Sequence, residues 1–345
     1  MSGLPELREA RATALALRTG YADEPAVAEA VARILDAVGR EGSAAVLRFT
    51  AQFDQVRLAE RELQLPSVVL EHARRLAHPG LLERIRSARA RAEAFARAQR
   101  AALEEPSEGG ARLRWLPRES VGIYLRRGGR FSPEAVAARF ATAKLAGVRR
   151  LFAVAAPCGR PTLPGAYGVE PAVLVTAAEL GLELHLAGGA QGIAQLGHWV
   201  GERGVVVGEA GRYGRAALRQ LASTRAVELP ASAPALLLAD ASADPEALAN
   251  AASTVGVALA LDEAAADRLA RAAADSELRA FRANRDQAVV FAQALAPSQV
   301  MLRVAEPDRW LGELTDAGAI LTGAERGIEP AAPPLTLFLR QQLVA

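Results

Sequence analysis

Cysteine is nearly absent from this 345-residue chain, Cys158 being the only one. A single thiol excludes an internal disulfide and a thiolate metal cluster; with no local partner it reads as a small core or loop residue. Lysine is as scarce, Lys144 standing alone among 41 basic side chains, so no P-loop or Schiff-base lysine exists elsewhere. The four histidines, His72, His78, His185 and His198, include no pair at i and i+4 with an acid beside it. The step from His72 to His78 turns about 120° around a helix, so the two do not share a face. No metal-ligating set is visible, and the metal residues are expected to be none. Long apolar runs are missing too: no stretch reaches the roughly 18–20 residues of a membrane span, and residues 1–13 lack a signal-peptide core. The expected location is the cytoplasm, without a membrane partner. Positive charge is in small excess, a formal +2, which does not suit a nucleic-acid partner. Along residues 79–103 the many arginines are interleaved with Glu83 and Glu93 and followed by Glu104 and Glu105, the mark of a solvated helix face.

What is present is ordinary for a globular enzyme: 51% hydrophobic and 23% charged residues, in a length that fits about two domains. Residues 4–17 read as a short polar helix. Asp23, Glu24 and Pro25 start a second, which carries Val27, Val31, Ile34 and Val38 on one face and stops near Gly39. Helices over 43–53, 67–76 and 79–103 follow. The period then changes to two at Leu113, Trp115, Val121, Ile123 and Leu125. Beyond it, a helix from Ser132 to before Gly147 leads into strand 150–155, helix 170–180, strand 182–186, helix 191–200, strand 204–207, helix 211–221 and strand 226–229. Such alternation argues for right-handed βαβ units and a parallel sheet covered on both faces. Further on come strand 235–239, helices 245–259 and 263–283, strands 288–291 and 300–304, helix 309–315 and strand 319–321. The expected fold is α/β, with two Rossmann-like doubly wound lobes, the second inserted into the first, and an N-terminal helical segment. Its parts are the segment 1–22, a first lobe of 23–120 plus 231–329, an inserted nucleotide-binding-type lobe of 121–230, and a short tail, 330–345.

Chemistry is sparse. No G-x-S-x-G is present, and the serines lie mostly at helix starts, where capping accounts for them. Residues 186–195 place Gly188, Gly189 and Gln191 between a strand and a helix, an arrangement that brings a ligand close to backbone and to free helical N–H groups. A second glycine cluster, Gly208, Gly211 and Gly214, has the spacing G-x-x-G-x-x-G, and its Glu209 would repel a pyrophosphate. Arg126, Arg127 and Arg130 surround Gly128 and Gly129, which suits an anion; an exposed arginine loop explains them equally.

These pieces, in this order, resemble the histidinol dehydrogenase family. Residues 120–125 followed by Gly128 and Gly129 look like that family's strand and P-G-G turn, 142–148 like the helix after it, and 187–194 like its G-G-A-Q-A-I-A segment. Ile34-Leu35-Asp36, residues 42–46 and Phe53-Asp54 also fit. The resemblance implies a two-lobed Rossmann-like fold, NAD-dependent oxidation of an amino alcohol to an acid, a zinc ion and a homodimer. Carried over residue by residue, it puts Tyr124 and Gln191 at NAD-contact positions, and Gly128, Gly129, Gly188 and Gly189 beside them as candidate cofactor-binding residues. A family asparagine that contacts NAD falls on Gly211, and the substrate-binding serine falls near Ala233 and Pro234, one place from Ser232.

The family's catalytic positions are altered. Two zinc ligands fall on Val255 and Ala258, and the glutamate–histidine proton-transfer pair on Ser298 and Gln299. The remaining ligands and the C-terminal segment of the family have no counterpart beyond Pro330. The resulting expectation is a catalytically inactive paralogue, with no catalytic residues, no zinc and NAD as an open cofactor. Its role would be regulatory, partner-binding or small-ligand-binding, the partner being a small molecule or nucleotide, another protein or a second copy. The alternative is an NAD-dependent oxidoreductase, either metal-free with another substrate or histidinol dehydrogenase itself, converting L-histidinol to L-histidine in histidine biosynthesis.

Overall fold

The computed structural model describes residues 4–19, 24–108, 111–127, 131–159, 163–228, 234–252, 255–274, 278–322 and 334–344. Helices come first: α1 (Ala10–Thr19), α2 (Pro25–Glu41), α3 (Ser43–Phe49), α4 (Ser67–Arg75) and α5 (Pro79–Ala102). Two antiparallel strands, β1 (Ser107–Glu108) and β2 (Ala111–Pro117), precede the alternating part. That part runs β3 (Ser120–Leu125), α6 (Pro133–Leu145), β4 (Arg150–Ala155), α7 (Pro171–Leu180), β5 (Glu183–Leu186), α8 (Gly189–Val200), β6 (Val205–Val207), α9 (Arg212–Leu221) and β7 (Ala226–Val227). A second alternation follows: β8 (Leu236–Ala239), α10 (Pro245–Ala252), β9 (Val257–Ala260), α11 (Glu263–Ala273), β10 (Arg279–Arg282), α12 (Arg285–Leu295), β11 (Val300–Arg303), α13 (Asp308–Leu311) and β12 (Ile320–Leu321). Strand β13 (Leu339–Val344) ends the described chain.

Each alternation makes one five-stranded parallel sheet, in the orders β5-β4-β3-β6-β7 and β10-β9-β8-β11-β12. Counted from its own first strand, each order is 3-2-1-4-5, so the direction of winding reverses once, beside the first strand. The chain divides into two compact units, one of Asp23–Pro230 with Glu329–Ala345, the other of Met1–Ala22 with Ala231–Ile328.

This division differs from the one expected from sequence, because a parallel sheet needs cover on both faces. In the first unit, Val27, Val31 and Ile34 of α2 share a core with Ile193, Val206 and Leu218, while Leu70 of α4 and Ile85 of α5 share another with Ile123 and Leu184. The early helices therefore cover the sheet of 120–227 and are not part of the lobe that begins at 231. Residues 1–22 are not a separate segment either: the Leu7 N–H donates to the Arg282 carbonyl at 2.8 Å, and Leu7 and Ala14 pack with Phe291. The final stretch is likewise part of a core, with Leu335 and Phe338 fully buried and β13 paired antiparallel to β2.

Three elements change type. The helix expected over 245–259 stops at Ala252, and Val257–Ala260 is a strand whose Val257 and Leu259 face one core while Ala258 and Ala260 face the other. Alanine on alternate positions hides that period of two in an apolar run. The second long helix ends at Ala273, and Arg279–Arg282 pairs with β9. The strand expected at 288–291 is helical, since Asn284 and Gln287 form a reciprocal capping box ahead of it. Among the described residues no helix is long and apolar enough to cross a membrane.

Replacing Phe338 by alanine removes a fully buried ring from the core that β3 and β5 share, at an expected cost of about 3–5 kcal/mol. Urea denaturation of the full chain measures it; a loss below about 1 kcal/mol would mean that this end of the chain is not part of that core.

Candidate functional site

In the Asp23–Pro230 unit the winding reverses between β3 and β6, and an open α/β sheet binds ligands outside the carboxyl ends of its strands at that point. Tyr124 is the last residue but one of β3 and is 6% exposed; Gln191 lies in the first turn of α8 and is 2% exposed. The Gly189 N–H donates to the Tyr124 hydroxyl oxygen at 2.9 Å, and Gln191 Nε2 donates to Asp54 Oδ2 at 3.1 Å. Asp54 also accepts from the Gly188 N–H. A Cβ on Gly188 would lie 2.7 Å from Asp54 Oδ1, so only glycine lets the carboxylate approach this closely. The sequence-derived set of Tyr124, Gly188, Gly189 and Gln191 thus meets at one place. Gly128 and Gly129 lie outside the described residues.

Asp54 carries no sequence signal beyond the Phe53-Asp54 pair, and reasoning from sequence gave it no role. It ends a π-type turn, Thr50–Asp54, after which Gln55 takes a left-handed conformation (φ 58°). Such wide turns are rare and recur at functional places. Burial pushes its carboxyl up to about 6, although Arg127, Gln191 and the Gly188 N–H all favour the ionised form. Burial also raises the Tyr124 phenol, so it is a neutral hydroxyl.

The second glycine turn is built on the same plan. Gly208, at φ 124°, sits where a Cβ would run into the Tyr124 carbonyl oxygen, and its N–H donates to Glu228 Oε2 at 2.9 Å. Glu228 in turn accepts two hydrogen bonds from Arg139 of α6, at 2.7 and 2.8 Å. Burial alone would lower the Arg139 guanidinium; the Glu228 carboxylate outweighs it and keeps the side chain charged. Glu209, the acid expected to repel a phosphate, is half exposed and 4.0 Å from Arg139, so the carboxylate that occupies the turn is Glu228. Gly211 caps α9 with no side-chain oxygen.

The sequence model of histidinol dehydrogenases matches residues 17–252. The chain belongs to that family. A histidinol dehydrogenase from Moorella thermoacetica is 32% identical over 330 aligned positions, covering 86% of this chain and 76% of that protein. One from Thermosynechococcus vestitus is 30% identical over 328, covering 85% and 74%. The crystal structure of a histidinol dehydrogenase from Elizabethkingia anophelis shares the fold, with a TM-score of 0.72 at 19% identity over 92% of this chain and 83% of that one. Of the residues on which the resemblance puts the family's zinc ligands and proton-transfer pair, Val255 and Ala258 are buried, Ser298 is exposed and Gln299 is half-buried. No three histidine, cysteine, aspartate or glutamate side chains gather in a metal-holding group among the described residues.

Asp54 sets a pH dependence whose sign follows from its raised value. An unfolded aspartate titrates near ~3.9, so between about pH 4 and about pH 6 the folded chain holds the proton the unfolded chain has lost. Its contribution to stability is complete below pH ~4 and is lost as the pH rises through about 6. Asp54→Asn keeps the acceptor for Gly188 and removes the titration. Denaturation midpoints from pH 4 to 8 should fall less steeply with pH in the variant, and it should be the more stable protein at pH 8. Parallel profiles would show that the carboxylate is not held in a desolvated place.

Proposed function

We propose that this member of the histidinol dehydrogenase family is non-catalytic and binds a small anionic ligand of nucleotide type at the carboxyl edge of β3 and β6, in a regulatory or partner-linked role. The observation that carries this reading is the chemistry of the four positions where the family's zinc ligands and proton-transfer pair fall. Ala258 is fully buried in β9, and Val255 is buried just before that strand, both in an apolar cluster with Leu237 and Met301. Hydrocarbon side chains offer no lone pair, so zinc does not fit there. At the other two positions a serine hydroxyl needs an activating base and a carboxamide does not titrate, so neither moves a proton at neutral pH. Missing proton transfer alone removes ~10²- to 10⁴-fold of rate.

The ligand class is supported by the edge itself. Tyr124 and Gln191 are positioned there, with Arg126 and Arg127 near enough to favour ionisation of the Tyr124 phenol. NAD, when bound, would supply a hydride acceptor. A pyrophosphate does not fit at the start of α8, because Asp54 already holds that N-terminus; the cationic residues Arg126 and Arg127 would take the phosphates instead. A second reading, a metal-free oxidoreductase, is favoured by one observation: Asp54 titrates at about 6 beside this edge, in the range of a general base.

With NAD, L-histidinol and zinc supplied, NADH formation should not exceed the substrate-free rate. Calorimetry should detect NAD binding, weakened about tenfold or more by Gln191→Ala and tightened at pH 8 by Asp54→Asn, which removes a negative charge from the site. Zinc-dependent NADH formation would overturn the non-catalytic reading. Failure to bind NAD would overturn the nucleotide assignment, and substrate-dependent NADH formation that survives chelation and is lost in Asp54→Asn would favour the second reading.

A further inference from the structure

At the opposite end of the same sheet, by the amino ends of β6 and β7, α2, α8 and α9 enclose a groove of about 590 Å³. Its walls are apolar where the helices meet, with Ala32 and Leu35 from α2, Ala194 from α8 and Leu221 from α9. The helices are held apart at fixed spacing. Gln220 Nε2 donates to the Ala28 carbonyl at 2.8 Å, tying α9 to α2, and a Cβ on Gly197 would come within 3.0 Å of Leu221.

Arg219 of α9 and Arg225 of the segment entering β7 line it together with His198 of α8, and no carboxylate does so among the described residues. Asp36, the acid nearest in sequence to the α2 wall, is paired with Arg40. Arg225 is fixed rather than swinging: its Nε donates to the Gly197 carbonyl at 3.3 Å and its Nη1 to the Thr224 carbonyl at 2.8 Å. A guanidinium oriented in advance loses little freedom when it meets an anion. On the α2 side the groove is lined by Gly39, in the last turn of that helix, where an added Cβ would find nothing within 4 Å. Glycine within a helix is disfavoured against alanine, and no packing contact at this position calls for it.

We propose that this groove is a second ligand site, for an organic anion: a phosphate or carboxylate head held by the arginines, on an apolar body seated between α2 and Leu221. It shares no residue with the Tyr124–Gln191 edge and does not depend on what that edge binds. Neither the bare anion nor the bare apolar body satisfies both halves of the lining.

The test is calorimetric titration of the full chain with 1-naphthyl phosphate and 1-naphthoate, and with inorganic phosphate and 1-naphthol as half-ligands. One site is expected for each naphthyl anion, the phosphate binding more tightly and its affinity falling with salt, and each half-ligand binding at least about tenfold more weakly. Gly39→Leu fills the groove and should abolish binding with the melting temperature unchanged or raised. The double variant Arg219→Gln, Arg225→Gln should lose at least about tenfold together with the salt dependence, while Gln191→Ala should leave the affinity untouched. No binding by the unaltered chain, affinity that survives Gly39→Leu, or 1-naphthol binding as tightly as the phosphate would each overturn the proposal. If sedimentation shows that Gly39→Leu splits a dimer, the groove is an interface between copies and the proposal falls.

Discussion

The carboxyl edge of the Asp23–Pro230 unit depends on one constraint: main-chain N–H groups exposed by glycine turns must find acceptors. A helix start presents N–H groups without intrahelical partners, and a buried donor left unpaired costs about 1–3 kcal/mol. In many nucleotide-binding sheets a bound phosphate meets that demand. Here the chain meets it with its own oxygens. Asp54 takes the Gly188 N–H, the Tyr124 hydroxyl takes that of Gly189, and Glu228, anchored by Arg139, takes that of Gly208.

This arrangement explains why Tyr124 and Gln191 are almost completely buried at that edge. Each is committed to a partner inside the chain, and those commitments fix the turn. On the reading proposed above, an incoming dinucleotide would meet a preformed surface whose strongest donors are already used, and its affinity would come from the arginine side and from side-chain contact. The same arrangement accounts for the unusual ionisation of Asp54. Its three favourable partners do not offset the loss of water around it, which is the expected balance for a carboxylate held largely by neutral donors.

Much of this was legible in the chain. The order of strands and helices from Val121 to Val227 could be read because β-branched and leucine runs alternate with capped helical patterns. That Tyr124 belongs with the Gly188–Gln191 turn was implied only by the family resemblance; the strand–glycine–helix pattern marked the turn alone. What could not be read has two physical causes. Alanine is compatible with helix and strand alike, so Val257–Ala260 and Arg279–Arg282 were absorbed into helices until pairing with neighbouring strands decided them. Long-range satisfaction of donors leaves no local trace: nothing near Asp54, Arg139 or Glu228 in sequence shows which N–H or carboxylate each will meet. Assignment of the early helices to a lobe had the same limit, because α2 and α5 have apolar faces that name no partner.

The second parallel sheet bears on how general the constraint is. With the same strand order, its carboxyl edge has Asp240 at the end of β8 and Asp262 after β9. Asp240 accepts from the N–H groups of Ser242 and Ala305 at 2.9 Å each, and Asp262 from that of Ala241 at 2.6 Å and of Ala265, in the first turn of α11, at 2.8 Å. Both sheets therefore close their carboxyl edges with internal carboxylates. An edge closed in this way folds and holds its shape without a ligand. On the reading proposed above, the fold outlasts the chemistry: Val255, Ala258, Ser298 and Gln299 stand at the zinc and proton-transfer positions without unsettling either sheet, because neither sheet relies on a bound group to satisfy its turns.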